Sequence, residues 1–270
     1  MKKTWMLGAA IVLGLSLTSC SQDSQNGGLA DSQQGRLFLT LKTKADFADK
    51  TRAVNEESYK NTDNYQVVVT DKDGNVKLDC KGEALKSFTG ITLPLGAFKV
   101  KAYYGTEHAY SRNEFYVYGE TIGNIDGDDQ QKVTVTCEPT CGRIAVNFAQ
   151  EMGTYYTDYN VTFTGTTAMG SDIISWMKDD TEPWYVKLNE TEETISFTIT
   201  TTTKENYVDP NKNSQTSKTG TFKLARNKAY KLNISPVYTP TDQGKLDITV
   251  TIDESTNDSE HDMEVDVDWI

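Results

Sequence analysis

Between Phe98 and Tyr103 the chain alternates strictly, with Phe98, Val100 and Ala102 apolar and Lys99, Lys101 and Tyr103 charged or polar. Successive side chains of a β-strand point to opposite faces, so this order predicts a strand with one buried and one wet face. The run is entered through Gly90-Ile91-Thr92-Leu93-Pro94-Leu95-Gly96, which reads as a turn. Pro94 fixes its own φ and biases Leu93 toward extended geometry, while Gly96 can supply whatever φ the corner demands.

The same period of two recurs along the chain. In the first half it marks Leu37–Leu41, Tyr65–Val69, Val76–Leu78, Glu114–Tyr118 and Val133–Cys137. Asp71-Lys72-Asp73-Gly74-Asn75 turns the second of these back into the third, and the polar stretch 44–63 has room for one short helical turn. In the second half, strands are expected at Arg143–Phe148, Tyr159–Thr164, Trp184–Leu188, Ile195–Thr200, Phe222–Leu224, Tyr230–Ile234 and Leu246–Ile252, with a helical turn within Gln150–Tyr156. Val265, Val267 and Trp269 alternate with carboxylates as a final edge strand would. Many short strands separated by turn signals indicate antiparallel sandwiches.

The beginning of the chain carries a different signal. Lys2 and Lys3 precede an apolar run from Met6 to Leu17, which closes with Leu17-Thr18-Ser19-Cys20. This is the pattern of a bacterial lipoprotein signal peptide covering residues 1–19, after which Cys20 is acylated, palmitate being one such acyl chain. The apolar run is short for a membrane-spanning helix. Ser21 after the cysteine suits outer-membrane delivery, and Asp23 is similar to acidic surface-export signals of Bacteroidales lipoproteins. Residues 20–35 are rich in Ser, Gln, Asn, Gly and Asp and read as a lipidated flexible tether.

Removing residues 1–19 leaves 251 residues, enough for two domains, and takes away two lysines, so the net charge of −12 becomes −14. Such acidity argues against nucleic acid and anionic lipid as partners. With Cys20 lipidated, Cys80, Cys137 and Cys141 remain. Their role reads as structural: either a local Cys137–Cys141 bridge or a link from Cys80 to one of them.

Chemistry has few candidates. Asp71–Asn75 opens like a calcium loop, but glycine falls at the fourth position instead of the sixth, and Gly82 stands where the loop needs its terminal glutamate, so a hairpin turn is the better reading. Asp126-Gly127-Asp128-Asp129 is a denser anionic cluster in a loop, where solvated carboxylates are the ordinary case. His108 and His261 stand apart from any nucleophile or metal-ligand pattern, and no phosphate-cradling glycine loop occurs. No enzyme, metal or cofactor is expected. Trp176, Trp184 and Tyr185 are candidate ligand-contact aromatics, because an aromatic face stacks on the apolar face of a sugar. A second group is Tyr103, Tyr104, Tyr110, Tyr116 and Tyr118, and sheet cores enrich aromatics in any case.

The corner Leu93-Pro94-Leu95-Gly96-Ala97-Phe98 resembles one that recurs in prealbumin (transthyretin)-like β-sandwiches. Together with Gly35-Arg36-Leu37-Phe38-Leu39, Val133-Thr134-Val135-Thr136-Cys137 and Ile144-Ala145-Val146-Asn147-Phe148, it makes the chain similar to a Bacteroidales surface lipoprotein family of unknown function, described as cell-adhesion proteins. The similarity extends more distantly to fimbrillin-type pilins and their anchors. It implies an all-β protein of two tandem antiparallel β-sandwich domains, 36–138 and 139–270, behind the lipidated tether. It implies a non-enzymatic protein of the cell outer membrane, exposed at the surface, with a host or bacterial surface protein or glycan, or pilus subunits, as partners. The alternative is a glycan-binding lipoprotein serving nutrient uptake. In fimbrillin-type pilins a protease removes the first strand after a basic residue. Here Arg36 precedes Leu37–Leu41 and Arg52 follows it.

Overall fold

The computed structural model describes residues 34–45, 47, 54–127, 130–207, 214–239, 245–256, 259–264 and 268–269, with backbone alone for 245 and from 255 onward. The expected signal segment 1–19, Cys20, Arg52, Asp128, Asp129 and the 265–267 part of the expected last strand lie outside the described residues.

Among the described residues the first half contributes β1 (Gln34–Thr43), β2 (Gln66–Thr70), β3 (Val76–Lys81), β4 (Ile91–Pro94), β5 (Gly96–Tyr104), β6 (Tyr110–Ser111), β7 (Val117–Ile125) and β8 (Gln130–Pro139). The second half contributes β9 (Cys141–Phe148), β10 (Tyr156–Thr164), β11 (Ile174–Met177), β12 (Trp184–Lys187), β13 (Glu192–Thr203), β14 (Gln215–Ala225), β15 (Ala229–Thr239), β16 (Lys245–Thr256), β17 (Ser259–Glu264) and β18 (Asp268–Trp269). The expected helical turns are α1 (Glu57–Lys60) and α2 (Met152–Tyr155). The protein is an all-β sandwich fold.

The first sheet runs β3-β2-β5-β7-β8-β1-β4. β7 and β8 pair only through Val117 with Pro139 and Tyr118 with Glu138, so the two flanks of this sheet diverge. They close over one core, in which Leu37, Leu93 and Val135 meet Val67, Val69, Phe98, Val100 and Val117. Gly96 has φ +115°, the positive value the corner before β5 needs. Opposite Phe98 stands Gly123, where an added Cβ would lie 2.3 Å from the ring, so glycine leaves room for the phenyl to lie across the strand.

The second core lies between two sheets, β11-β10-β13-β14-β18 and β17-β16-β15-β9-β12-β6. Val161, Phe163, Ile195, Phe197, Ile199 and Leu224 of one sheet pack on Ile144, Val146, Leu232, Ile234, Val250 and Ile252 of the other. Alternation in β10, β13, β15 and β16 delivers these side chains to one face.

Several details differ from the sequence reading, and the strand expected at Glu114–Tyr118 begins only at Val117. The sandwiches are not wholly antiparallel: β1 runs parallel to β8 and β15 parallel to β9, because each pair is joined by a long excursion of chain instead of a hairpin. β1 begins at Gln34, inside the expected tether, since Gln34 and Gly35 pair with Pro94 and Leu93. The stretch Ile91–Pro94, read as turn, is therefore also an edge strand, and proline is tolerated at its end because an edge leaves one side of the ladder open.

Candidate functional site

The N-terminal strand is the first place where function could reside. β1 sits between β8, with eight register pairs, and β4, with four. Leu37 is wholly buried, while Leu39 and Leu41 are half-buried against the same core. Arg36, one of the two basic residues that flank the Leu37–Leu41 run, lies within β1 with its guanidinium 5.4 Å from the Phe38 ring. The other, Arg52, lies outside the described residues.

The second place is the seam between the two cores. Only Thr140 separates β8 from β9, and its backbone is tied in both directions: its N–H donates to Tyr116 O (2.9 Å) and its carbonyl accepts from Leu188 N–H (3.0 Å). β6, a strand of the first half, leaves its own sheet and pairs antiparallel with β12, as Tyr110 opposite Val186 and Ser111 opposite Tyr185. Lys187 N–H extends this ladder to Ala109 O (2.9 Å). Cys141, Tyr185 and Ala229 of the second half are buried in the first core. Tyr185 stacks on Phe115 (centroids 4.8 Å, 25°), and Phe115 stacks on Tyr59 (3.8 Å, 17°). Glu56 Oε1 accepts from Tyr185 Oη (2.6 Å) and from Arg143 Nη1 (3.2 Å), so this partly buried carboxylate is paired. By its contacts, Gln33–Ile270 is one compact unit.

Arg112, just beyond β6, closes the seam on the other side. Its guanidinium lies 4.5 Å from the Trp184 ring and 5.2 Å from that of Trp176. Nη2 donates to Asp180 Oδ2 (2.6 Å) and to Ser175 O (3.0 Å), and Trp184 Nε1 donates to the same carbonyl (3.0 Å). Burial acts to raise the Asp180 carboxyl, but the bonds from Arg112 and from Met177 N–H outweigh it and hold it below its ordinary range. The edge of β11 is thus occupied by side-chain donors from β12 and the β6 loop.

These positions correct the expected aromatic platform. Trp176 is 1% exposed and Tyr185 2%, so neither offers a face to a sugar, and Trp184 has one face on Arg112. The three are brought together, but as seam and core. Neither the local Cys137–Cys141 bridge nor the alternative link of Cys80 to one of them is present: Cys137 and Cys141 are both buried free thiols. They sit on successive strands, and Cys137 Sγ points to Ala102 O (3.5 Å) inside the first core. Burial pushes the Cys137 thiol up to about 12 and raises that of Cys141 as well.

Asp71 is engaged by its own turn. Oδ1 accepts from the N–H groups of Asp73 (3.0 Å) and Asn75 (2.9 Å), and Oδ2 from Asn75 Nδ2 (3.2 Å) and Lys77 Nζ (3.1 Å). Burial would raise this carboxyl, yet the bonds from Asn75, Lys77 and Asp73 prevail and hold it at about 2. Asp126 pairs with Asn124 Nδ2. No cluster of three metal-ligating side chains occurs among the described residues.

Sequence reasoning missed Glu193 and also Arg112, Glu56 and Arg143, charged residues whose partners are remote in sequence.

A family model described as a domain of unknown function (DUF4493) matches residues 33–267. No curated protein matches the sequence. Solved structures similar to this chain include a candidate adhesin from Bacteroides ovatus (11% identity, TM-score 0.44, covering 86% of this chain and 96% of that one). The fimbrial anchor protein Mfa2 from Porphyromonas gingivalis aligns at 9% identity and TM-score 0.43, covering 84% and 98%. A candidate polysaccharide-binding protein from Bacteroides thetaiotaomicron aligns at 14% identity and TM-score 0.41, covering 85% and 98%.

Proposed function

Because the chain belongs to the DUF4493 family, a domain of unknown function, we propose its role from its own residues and geometry. It is a non-enzymatic surface lipoprotein of the cell-adhesion or fimbrial type, an anchor or accessory subunit held at the outer membrane through Cys20. The observation that carries this reading is the seam. β6 of the first half completes a sheet of the second, and Arg112 fastens the same joint, so the two cores form one stiff body. A protein that works by holding on benefits from stiffness, because having its own contact surface ordered beforehand lowers the entropic cost of binding. The resemblance of the Gly35–Leu39, Leu93–Phe98 and Ile144–Phe148 segments to adhesion lipoproteins supports the same reading.

A permanent β1 favours an anchor or adhesin over a polymerising pilin. The strand is flanked on both sides and buries Leu37, so its removal would open the interior of a sheet. The test uses the native bacterium with the gene deleted and restored as wild type or Cys20→Ala. Wild type should take up a fatty-acid probe and restore attachment or fimbriation, and Cys20→Ala should do neither. Equal labelling of both would sink the anchor, and unchanged attachment and fimbriation in the deletion strain would sink the adhesive role.

A further inference from the structure

Three connections converge beside the seam on an open cleft of about 380 Å³. Glu107 and His108 come from the connection of β5 to β6, Thr167 from that of β10 to β11, and Lys187 and Asn189 from the end of β12 and beyond. That volume is of the size that small-molecule sites occupy, and junctions between packed units are where such sites favour.

The walls are held from beneath. Glu193, 8% exposed, accepts through Oε2 from Thr167 N–H (2.5 Å) and through Oε1 from the N–H groups of Asn189 (2.6 Å) and Glu190 (3.2 Å). Arg226 Nη2 donates to the carbonyls of Leu188 (2.8 Å) and Asn189 (2.7 Å). One buried carboxylate and one guanidinium thereby fix two loops that Met169 and Leu188 also anchor in the second core. Such support is what keeps binding groups in place before a ligand arrives.

The charges of the cleft are matched internally. Lys187 Nζ meets Glu107 Oε1 at 2.7 Å, and His108 Nε2 meets Glu114 Oε1 at 2.9 Å. An ionic ligand would have to break one of these pairs, and an anionic one would also meet a chain of net charge −12. What the cleft presents to a ligand is a close mixture of donors and acceptors, the complement of hydroxyl groups that do both. Beside it, Tyr116 lines an adjoining hollow with His108 and Lys187. Its half-buried ring continues into those of Tyr118 (centroids 6.1 Å, 23°) and Tyr103 (6.0 Å, 41°), an aromatic shoulder on the outer face of β5 and β7. An aromatic face takes the apolar C–H face of a sugar ring.

We propose that this cleft and its tyrosine shoulder bind a neutral oligosaccharide, with hydroxyls received by Glu107, Lys187 and Asn189 and a sugar face laid on Tyr116. It gives the adhesive role a ligand class, and it rests on that reading for its setting at the cell surface.

The test uses the full chain, purified in detergent, on an array of immobilised glucose-, galactose-, mannose- and N-acetylglucosamine-based neutral oligosaccharides beside sialylated and sulfated ones. Calorimetry then follows with the best-retained neutral sugar. Wild type should hold neutral members, and Tyr116→Ala and Asn189→Ala should each weaken binding about tenfold or more, the loss of one good contact. Ile122→Ala, exposed on the same sheet face, should bind as wild type does. Melting curves confirm that each variant is folded, and if Asn189→Ala melts early the stacking variant Tyr116→Ala decides alone. Retention of no neutral sugar, retention of acidic sugars only, or unchanged binding by folded Tyr116→Ala would overturn the proposal. Attachment of whole cells that persists while the purified chain ignores all neutral sugars would overturn this site and leave the adhesive role standing.

Discussion

Replacing Arg112 by alanine should cost this protein about 3 kcal/mol. The guanidinium lies over two indole rings at 4.5 and 5.2 Å, each contact contributing roughly 0.5–1 kcal/mol at a partly exposed site. Its bond to Asp180 at 2.6 Å is charge-assisted and adds roughly 1.5–3 kcal/mol, taken at the low end because both side chains keep a fifth or more of their surface in water. For a chain of this size that loss lowers the melting temperature by about 6 °C. Arg112→Lys keeps a cation near Asp180 but forfeits the planar stack between the rings, and should lose about half as much. The assay is urea unfolding of residues 21–270 followed by tryptophan fluorescence, which reads Trp176 and Trp184 directly. Combining Arg112→Ala with Asp180→Asn should cost less than the sum of the two, since they share one bond. A loss under about 0.5 kcal/mol for Arg112→Ala, or lysine and alanine equally damaging, would refute the clasp as a load on stability.

Two further outcomes are expected. Asp71 is held at about 2 in the folded chain against an ordinary value of 3.8, so its contribution is present above that ordinary value and is lost as pH falls toward 2. Urea midpoints of wild type and Asp71→Asn should differ at pH 5 and converge between pH 4 and 2, and a gap that stays constant over that range would exclude the turn as the cause. Cys137 and Cys141 should resist a maleimide in the native chain and react in urea. Recovery of a Cys137–Cys141 disulfide peptide from unreduced digests would show the bridge that the structure lacks.

Strands were legible wherever one face is buried and the other wet, because the alternation is then written in the residues themselves. β5, β13, β15 and β16 are of this kind. β6 and β11 were not, since Tyr110–Ser111 and Ile174–Met177 are too short to show a period, and the pairing of β6 is decided by what lies across the seam. The parallel pairs were hidden for a related reason: direction depends on the path of the intervening chain, which no local pattern records. Trp176 and Tyr185 illustrate the limit for sites. Their residue types suit a sugar platform and a core equally well, and only their burial separates the two. Glu193 was illegible altogether, because nothing in its neighbours predicts that its carboxylate collects N–H groups from two loops.

The parallel pairing of β1 with β8 has a mechanical consequence. β1 is entered at Gln34 from the N-terminal side, and β8 leaves at Pro139 toward the second half. Tension between those points pulls the two strands in opposite senses along their common axis. All eight register pairs are then loaded at once in shear, and none can be peeled off ahead of the others. The pairing of β9 with β15 repeats the geometry, with load entering at Cys141 and leaving toward Thr239 through six pairs in parallel. An antiparallel pair held by the same two ends of its strands would unzip one bond after another. Force transmitted along this chain therefore meets, in each half, the arrangement in which hydrogen bonds between strands resist as a group.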